Sequence, residues 1–360
     1  MKMVPDTTMK TKTTIKDVAE LAGVSFKTVS RVINNEGSVR KETLQKVNDA
    51  ITQLNYQPNT AARNLAGSKS YALGYVYDNP NAYYVLDMQN GILAECRERG
   101  YELVIHPCSA NNEHIVEELA TMVKRSQLAG LIISPPLSEM PDVLSALGEM
   151  NIPFIRIISA SEVSQESSPC VYINDRDAAF EITEHLIEQG HTKIAFLRGD
   201  ENHRSSHERK KGYLNALMKH GLPITEDYQI DGSYTFEFGV QGAKQLMSLE
   251  EPPTGIFSCN DEIAAGALFA VRLQGLNVPG DIAIAGFEDS PFSRQTWPML
   301  TTAAQPTNTI ARKAAASLIQ HLVHIRSPKT SVDSIPHLHF RPQLVKREST
   351  LSISGNPHVD

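Results

Sequence analysis

The stretch of the chain that carries the clearest chemistry runs from Thr14 to Asn35. Thr14 can cap a first helix, Gly23 can supply a tight turn, and Ser25 can cap a second helix. The second helix has valine and isoleucine on one side. Its other side carries Phe26, Lys27, Ser30, Arg31 and Asn34. A third amphipathic run follows over 44–54. Three short helices with one cationic face predict a helix-turn-helix unit whose second helix can enter the major groove of DNA.

The distribution of charge favours the same interpretation. The whole chain has a formal net charge of -7. Residues 1–70 nevertheless hold 11 Lys and Arg against 6 Asp and Glu, whereas residues 71–360 hold 23 basic and 35 acidic residues. A basic amino-terminal module on an acidic body is the asymmetry expected when one end of a protein meets phosphate.

Cysteine and histidine patterns give no sign of a metal, a cofactor or a disulfide framework. The four cysteines show no CxxC pairing, and His203 and His207 lack further ligands that would complete a zinc site. We expect reduced thiols, and polar loop or ligand contacts for the two histidines. The polar residues 1–13 resemble no signal peptide, and no apolar run reaches membrane-spanning length. We therefore expect a cytoplasmic protein without a membrane partner.

The remainder of the chain alternates apolar strand-like runs with amphipathic helices, which predicts α/β lobes with parallel, doubly wound sheets. Strands are expected near 72–77, 102–106, 130–134, 154–158, 193–197, 255–258 and 282–287. We expect a disordered lead-in over 1–13, a head over 14–57, a linker over 58–70, a two-lobed body over 71–345 and a tail over 346–360. The lobes are expected to comprise about 71–171 with 302–334, and 172–301 with 335–345. In such folds ligands bind at the carboxyl ends of the strands, where both lobes supply loops.

An ordered set of motifs is similar to the lac repressor (LacI/GalR) family of bacterial transcription regulators. These motifs are DVAELAGVS at 17–25, TVSRVIN at 28–34, LNYQPN at 54–59, AARNL at 61–65, ND at 260–261 and DIAIAGFED at 281–289. The similarity extends from Thr14 to about Arg341. It implies a small helical head, a short hinge helix and a body like the periplasmic binding proteins.

The resemblance places Phe26, Lys27 and Arg31 at positions that read base edges. Arginine offers a bidentate fork to guanine, and lysine can donate to the same acceptors. Phe26 could instead pack in the head's own core. Thr14, Ser25, Thr28, Ser30, Asn34 and Asn59 are better suited to hold phosphates. In the linker the resemblance implies DNA contact at Ala62 and makes Leu65 a wedge between base pairs of the minor groove.

In the body, the resemblance implies that five residues face an effector cleft: Tyr84, Arg209, Tyr234, Asn260 and Glu288. An aromatic ring with amide, guanidinium and carboxylate groups suits a sugar. Tyr84 could instead be a core residue, and Arg209 could pair with a nearby glutamate. Asp261 is expected to cap a helix. Glu288 departs from the aspartate that many relatives carry, so the effector's identity cannot be transferred from any relative.

These observations predict a repressor of carbohydrate-catabolism genes. We expect a homodimer that binds a pseudopalindromic, double-stranded DNA operator. A small effector, most simply a sugar, is expected to control the affinity of the homodimer for this operator. A purine- or nucleoside-responsive regulator, or one that requires a corepressor, is the alternative within the family. A sugar-binding receptor or an α/β enzyme is the alternative outside it, although GxGxxG, GxxxxGK[ST], GxSxG and HExxH are missing from the sequence. No enzyme activity and no leucine heptad for tetramers are expected.

Overall fold

The computed structural model describes residues 13–33, 39–56, 70–164, 168–326 and 336–351. The chain divides into two compact units, Met1–Tyr71 and Ala72–Asp360, which are called the head and the body below. The predicted lead-in, the predicted hinge helix, and the candidate residues Asn34, Asn59, Ala62 and Leu65 lie outside the described residues.

The head contains three helices: α1 (Ile15–Ala22), α2 (Phe26–Ile33) and α3 (Lys41–Gln53). Gly23 ends α1 with a φ of 63°, a left-handed conformation that glycine adopts without a steric penalty. Small apolar side chains from all three helices form the core of the head, and the fully buried ones are Val18, Val29 and Val47. Burying a side chain of this size stabilises the fold by about 1.5–3 kcal/mol.

The first lobe of the body is built on a parallel sheet. Its described strands are β1 (Ala72–Tyr77), β2 (Glu102–Pro107), β3 (Gly130–Ile133), β4 (Phe154–Ser159), β5 (Cys170–Ile173) and β11 (Leu338–Phe340). They pair in the order β11-β5-β4-β3-β1-β2. The helices of this lobe are α4 (Ala82–Arg99), α5 (Ile115–Ser126), α6 (Pro141–Glu149) and α12 (Thr307–Arg326).

The second lobe has a smaller parallel sheet in the order β7-β6-β8-β9. Its strands are β6 (Ile194–Leu197), β7 (Gln229–Ile230), β8 (Gly255–Ser258) and β9 (Ala283–Ala285). Its helices are α7 (Asp175–Glu188), α8 (Arg204–Lys219), α9 (Phe236–Met247), α10 (Asp261–Leu273) and α11 (Pro291–Gln295). A separate antiparallel pair joins β10 (Thr302–Ala304) to β12 (Gln343–Val345). The predicted α/β class with a helical head is confirmed.

Two predicted boundaries in the body are wrong. Residues 338–340 do not join the second lobe, because β11 pairs with the open edge of β5 in the first sheet and His339 stacks on Tyr172 with ring centroids 4.8 Å apart. The part of the predicted tail over 346–351 belongs to the body. Ser349 is buried, donates from its hydroxyl to the backbone oxygen of Ile284 at 2.5 Å and accepts from the backbone nitrogen of Thr301 at 2.8 Å. Buried polar groups of this kind need such partners, and the second lobe supplies them.

Candidate nucleic-acid interface and ligand cleft

The predicted base-reading residues share one surface of the head. Phe26 begins α2 and is 51% exposed, and Lys27 and Arg31 are also exposed. Val29 and Val32, on the opposite side of the same helix, are buried in the head's core. The interpretation that Phe26 packs in that core is therefore wrong. An exposed aromatic ring and two exposed cations on one helix can contact base edges in a major groove.

Hydroxyl groups stabilise the starts of α1 and α2. Thr14 donates to Oδ2 of Asp17 from its backbone nitrogen at 2.7 Å and from its hydroxyl at 2.8 Å. The Ser25 hydroxyl accepts from the backbone nitrogen of Thr28 at 3.2 Å and lies 2.9 Å from the Thr28 hydroxyl. Hydroxyl groups and helix starts of this kind are the groups that commonly hold phosphates in protein–DNA complexes. Ser30, the remaining described phosphate candidate, is half-buried on α2.

Four of the five predicted effector residues line one cavity, the ligand cleft. Tyr84 lies on α4, Arg209 on α8, Tyr234 before α9 and Glu288 after β9. The other lining residues are Asn79, Asn81, Pro135, Ile158, Ser159, Ile173, Asp175, His203, Ser205 and Gln305. The cleft has a volume of about 40 Å³, room for a few water molecules and too little for a sugar ring. A sugar ring therefore needs a larger space than the cleft has in this structure.

Arg209 is the cation of the cleft, and it is already paired. Its side chain is 4% exposed, and its Nε donates to Oδ1 of Asp175 at 2.8 Å. Its Nη1 donates to the backbone oxygen of Cys259 at 2.5 Å, and its guanidinium stacks on Phe287 at 3.7 Å from the ring centroid. Burial opposes the charge of Arg209, but Asp175 together with Cys259, Tyr234 and Glu288 outweighs that effect, so the pKa of Arg209 is raised. The Ser159 hydroxyl donates to Oδ2 of Asp175 at 2.6 Å, which also holds that carboxylate in place.

Glu288 links the two lobes. Its Oε2 accepts from Nδ2 of Asn81 at 2.7 Å, and its Oε1 lies 3.7 Å from Nη1 of Arg209. Asn81 is itself fixed, because its Oδ1 caps α4 by accepting from the backbone nitrogens of Tyr83 and Tyr84. Burial raises the pKa of Glu288 to about 7 although Arg209 and the Asn81 hydrogen bond oppose that shift. The carboxyl therefore changes charge near neutral pH.

Tyr234 is held tightly in the wall of the cleft. Its hydroxyl lies 2.7 Å from the Ser206 hydroxyl, and the ring of His203 meets it edge-on at 5.5 Å between centroids. A Cβ atom added to Gly199 would lie 2.4 Å from the Tyr234 ring, so only glycine allows this approach. One face of Tyr234 is therefore covered by backbone. Burial lowers the pKa of His203, which keeps its imidazole neutral at pH 7.

The structure places Asn260 outside the lining of the cleft. Its side chain is fully buried and caps α10 by accepting from the backbone nitrogen of Ile263 at 2.9 Å. The expectation that Asp261 caps this helix is wrong, since Asp261 instead accepts from the Thr302 hydroxyl at 2.6 Å and from the backbone nitrogen of Ser290 at 2.7 Å. The predicted ligand contact of Asn260 stays a prediction.

Sequence reasoning missed several cleft residues, chiefly Asn81, Asp175 and Gln305. The strand-then-asparagine pattern at β1 and at β5 was the available signal, because side chains at the carboxyl ends of parallel strands meet at one edge. His203 lies in the cleft wall, whereas His207 is exposed and lies 3.0 Å from Nη2 of Arg198. Among the described residues no three metal-ligating side chains cluster.

Comparison with known proteins gives the chain its family. The model of the family described as "Bacterial regulatory proteins, lacI family" matches residues 14–59, and that of the periplasmic binding protein-like domain matches residues 183–350. None of the described helices has the length and apolar character to cross a bilayer.

Whole-length relatives agree with these matches. The chain is 32% identical to the probable transcriptional repressor ExuR of Bacillus subtilis, over 89% of this chain and 94% of that protein. It is also 32% identical to catabolite control protein A of Priestia megaterium, over 91% of this chain and 98% of that protein. Among solved structures, a lac repressor dimer bound to operator and the anti-inducer ONPF has a TM-score of 0.71 at 28% sequence identity. The match covers 95% of this chain and 100% of that chain. A complex of the regulator CelR with cellobiose has a TM-score of 0.69 at 27% sequence identity, and the match covers 94% of this chain and 99% of that chain. The chain therefore belongs to the LacI family of bacterial regulatory proteins and is a DNA-binding transcriptional regulator.

Proposed function

We propose that the protein is a homodimeric repressor that binds a pseudopalindromic operator and responds to a neutral sugar. The observation that carries the sugar assignment is the chemistry of the cleft wall, where carboxylate, amide and hydroxyl groups surround a single arginine. Such groups pair with the hydroxyls of a sugar. We propose Tyr84, Arg209, Tyr234 and Glu288 as ligand contacts, together with Asn81 and Asp175.

The charge balance of the cleft favours a neutral ligand over an anionic one. Arg209 is the one cation in the described lining, and Asp175 and Glu288 are its carboxylates. Because Arg209 already pairs with Asp175, a uronate or a phosphorylated sugar would bring a negative charge beside carboxylates without a spare cation. Burying such a charge without a partner is strongly unfavourable. The bound cellobiose of the CelR structure supports a neutral saccharide here.

An apolar surface on the second lobe supports the dimer. Phe269, Leu273 and Trp297 are 48%, 67% and 73% exposed and line one groove. A monomeric protein rarely leaves three large apolar side chains together in water, and such patches mark interaction sites. The lac repressor that resembles this chain is a dimer on its operator. We propose that a second copy of the chain covers this patch and thereby places two heads on two half-sites.

Effector action follows from the closed cleft. A sugar that enters must separate Asn81 from Glu288 and compete for their hydrogen-bonding groups, so binding opens or reorients the lobes. Induction, in which the effector releases DNA, is the proposed sign of this response. Coupling of this kind is reciprocal, so the operator must weaken effector binding by the factor by which the effector weakens operator binding.

The test uses the full chain and a DNA fragment enriched from genomic DNA by repeated selection. Fluorescence anisotropy at fixed salt measures DNA affinity with and without neutral sugars, uronic acids and nucleosides. We expect a neutral sugar to lower operator affinity and a uronic acid of the same ring to have no effect. Arg31→Ala should weaken operator binding about 10–100-fold but keep sugar binding. Arg209→Lys should abolish sugar binding but keep the operator preference. A nucleoside response without any sugar response would refute the sugar assignment, and no preference for any fragment would refute the whole proposal.

A further inference from the structure

A second cavity adjoins the ligand cleft and is called the outer groove here. Its volume is about 380 Å³, against about 40 Å³ for the cleft. Tyr84, Glu288 and Gln305 line both cavities. The two spaces are therefore neighbours that share three lining residues, so a ligand longer than one ring could extend from the opened cleft into the outer groove.

Gln305 lies at this boundary with an unsatisfied polar atom. Its residue is 9% exposed, and its Oε1 is buried without a hydrogen-bond partner among the described residues. Its Nε2 makes one long hydrogen bond, to the Thr307 hydroxyl at 3.4 Å. A buried acceptor without a donor costs about 1–3 kcal/mol. A ligand hydroxyl at this boundary would supply the missing donor.

The outer wall of the groove has the chemistry of a saccharide site. Tyr83 supplies a ring that is 38% exposed and is held edge-on by Phe292 at 5.6 Å between centroids. Asp87 and Gln343 add an exposed carboxylate and an exposed amide. Arg341 also lines the groove, and its guanidinium is paired with Glu181. An aromatic platform with acceptors and amide donors suits a neutral ring with several hydroxyls, and the paired arginine leaves no strong anion site.

We propose that the outer groove is a second sugar subsite and that the effector is a neutral disaccharide or longer oligosaccharide. One ring occupies the opened cleft, the next lies against Tyr83, and Gln305 accepts a hydrogen bond where the two rings join. This inference rests on the proposed sugar response and adds the size of the ligand to it. The contacts of the second ring are absent for a monosaccharide, so a disaccharide binds more tightly than either of its component rings.

The test is isothermal titration of the full chain with neutral disaccharides (cellobiose, maltose, lactose, sucrose, trehalose and melibiose) and with glucose, galactose and fructose. Tyr83→Ala removes the platform without touching the cleft, and Tyr83→Phe is the matched control that keeps the ring. We expect one disaccharide to bind at least about tenfold more tightly than its components, which corresponds to about 1.4 kcal/mol. Tyr83→Ala should remove that advantage and leave monosaccharide affinity unchanged, and Tyr83→Phe should keep it.

Thermal melting of each variant shows whether the fold is intact, and Asp87→Asn provides a second groove variant that keeps the side-chain shape. Equal affinity for a monosaccharide and for every disaccharide, or an equal loss for both in Tyr83→Ala, would overturn the subsite and leave the sugar response standing. Binding by no saccharide at all would overturn both.

Discussion

The buried pair of Arg209 and Asp175 gives the sharpest test of how the cleft is held together. Asp175→Asn keeps the shape of the side chain but removes its charge, so the Arg209 guanidinium, 4% exposed, loses the negative charge that lies 2.8 Å from its Nε. Breaking a buried pair in this way costs about 3–5 kcal/mol. Since Arg209 keeps the Cys259 carbonyl and has Glu288 at 3.7 Å, we expect about 3 kcal/mol. In a body of this size that lowers Tm by about 6–12 °C.

The matched control is Glu251→Gln, which breaks the Lys193–Glu251 pair. Its atoms are also 2.8 Å apart, but its side chains are 44% and 74% exposed, so water screens the interaction and the stability should not change measurably. Urea unfolding of both variants, followed by far-UV circular dichroism, gives the free energies of unfolding. Equal values for the two variants would refute the reasoning that burial makes the Arg209 pair strong.

Three further outcomes are expected. Arg31→Ala should weaken operator binding about 10–100-fold in anisotropy assays while non-specific binding falls far less, because a base contact is worth about 1–3 kcal/mol. Burial raises the pKa of Glu288 to about 7. The folded state then holds its proton more tightly than the unfolded state, so the contribution of Glu288 to the free energy of unfolding falls as the pH rises from about 4.5 to about 7. Glu288→Gln should flatten that fall in unfolding curves measured across the same pH range. Gly212→Ala would put a Cβ 2.2 Å from the backbone oxygen of Arg176, and forcing α7 and α8 apart should lower the free energy of unfolding by about 1–3 kcal/mol. The control is Gly148→Ala, whose Cβ would meet nothing within 4 Å and which should leave Tm unchanged or raise it.

Most strands that the sequence predicts correctly have at least four residues, although the predicted run over 282–287 forms only the three-residue β9 and the four-residue β5 is not predicted. The run over 72–77 has an apolar interior of four consecutive buried residues, so its assignment as a central strand needs no tertiary information. The two-residue β7 and the three-residue β10, β11 and β12 are too short for any periodicity. Their pairing depends on which sheet edge is open nearby, which only the folded chain decides. For this reason β11 was assigned to the wrong lobe.

The cleft shows a similar division between what local sequence reveals and what it conceals. Tyr84, Arg209 and Glu288 can be identified without coordinates, because the resemblance to the family assigns them to the cleft. Asp175 follows the end of β5, but its role is defined by Arg209, 34 residues away in the chain, so its strand-end position alone does not reveal that role. Asn81 is likewise 207 residues from the carboxylate that it contacts. Such contacts depend on how the lobes close, and no local pattern records that geometry.

The backbone around Glu288 explains why this residue can transmit the opening of the cleft. Its φ is 102°, its backbone nitrogen donates to the oxygen of Ala303 at 2.8 Å, and its backbone oxygen accepts from the nitrogen of Gln305 at 3.3 Å. These bonds tie Glu288 to β10 and to the segment that leads from it into α12 of the first lobe. A displacement of the Glu288 side chain away from Asn81 therefore acts on a chain crossing between the lobes.

Asn81→Asp tests this connection directly. Aspartate keeps the cap of α4, since it is as good a helix cap as asparagine, but it replaces the Nδ2 donor at 2.7 Å from Glu288 by a carboxylate oxygen. In the variant the pKa of Glu288 rises further, because the Asn81 hydrogen bond that lowers it is lost and a second carboxylate is added. As the pH rises above about 7 an increasing fraction of molecules carries both charges, and the two side chains then repel each other. The variant should then release its operator without any effector, and lowering the pH to 6 should restore binding. Anisotropy with the enriched fragment at both pH values measures this, with the wild-type chain as the control for the pH dependence of the head. Operator affinity that is unaltered at pH 8 would show that the Asn81–Glu288 contact does not couple the cleft to DNA.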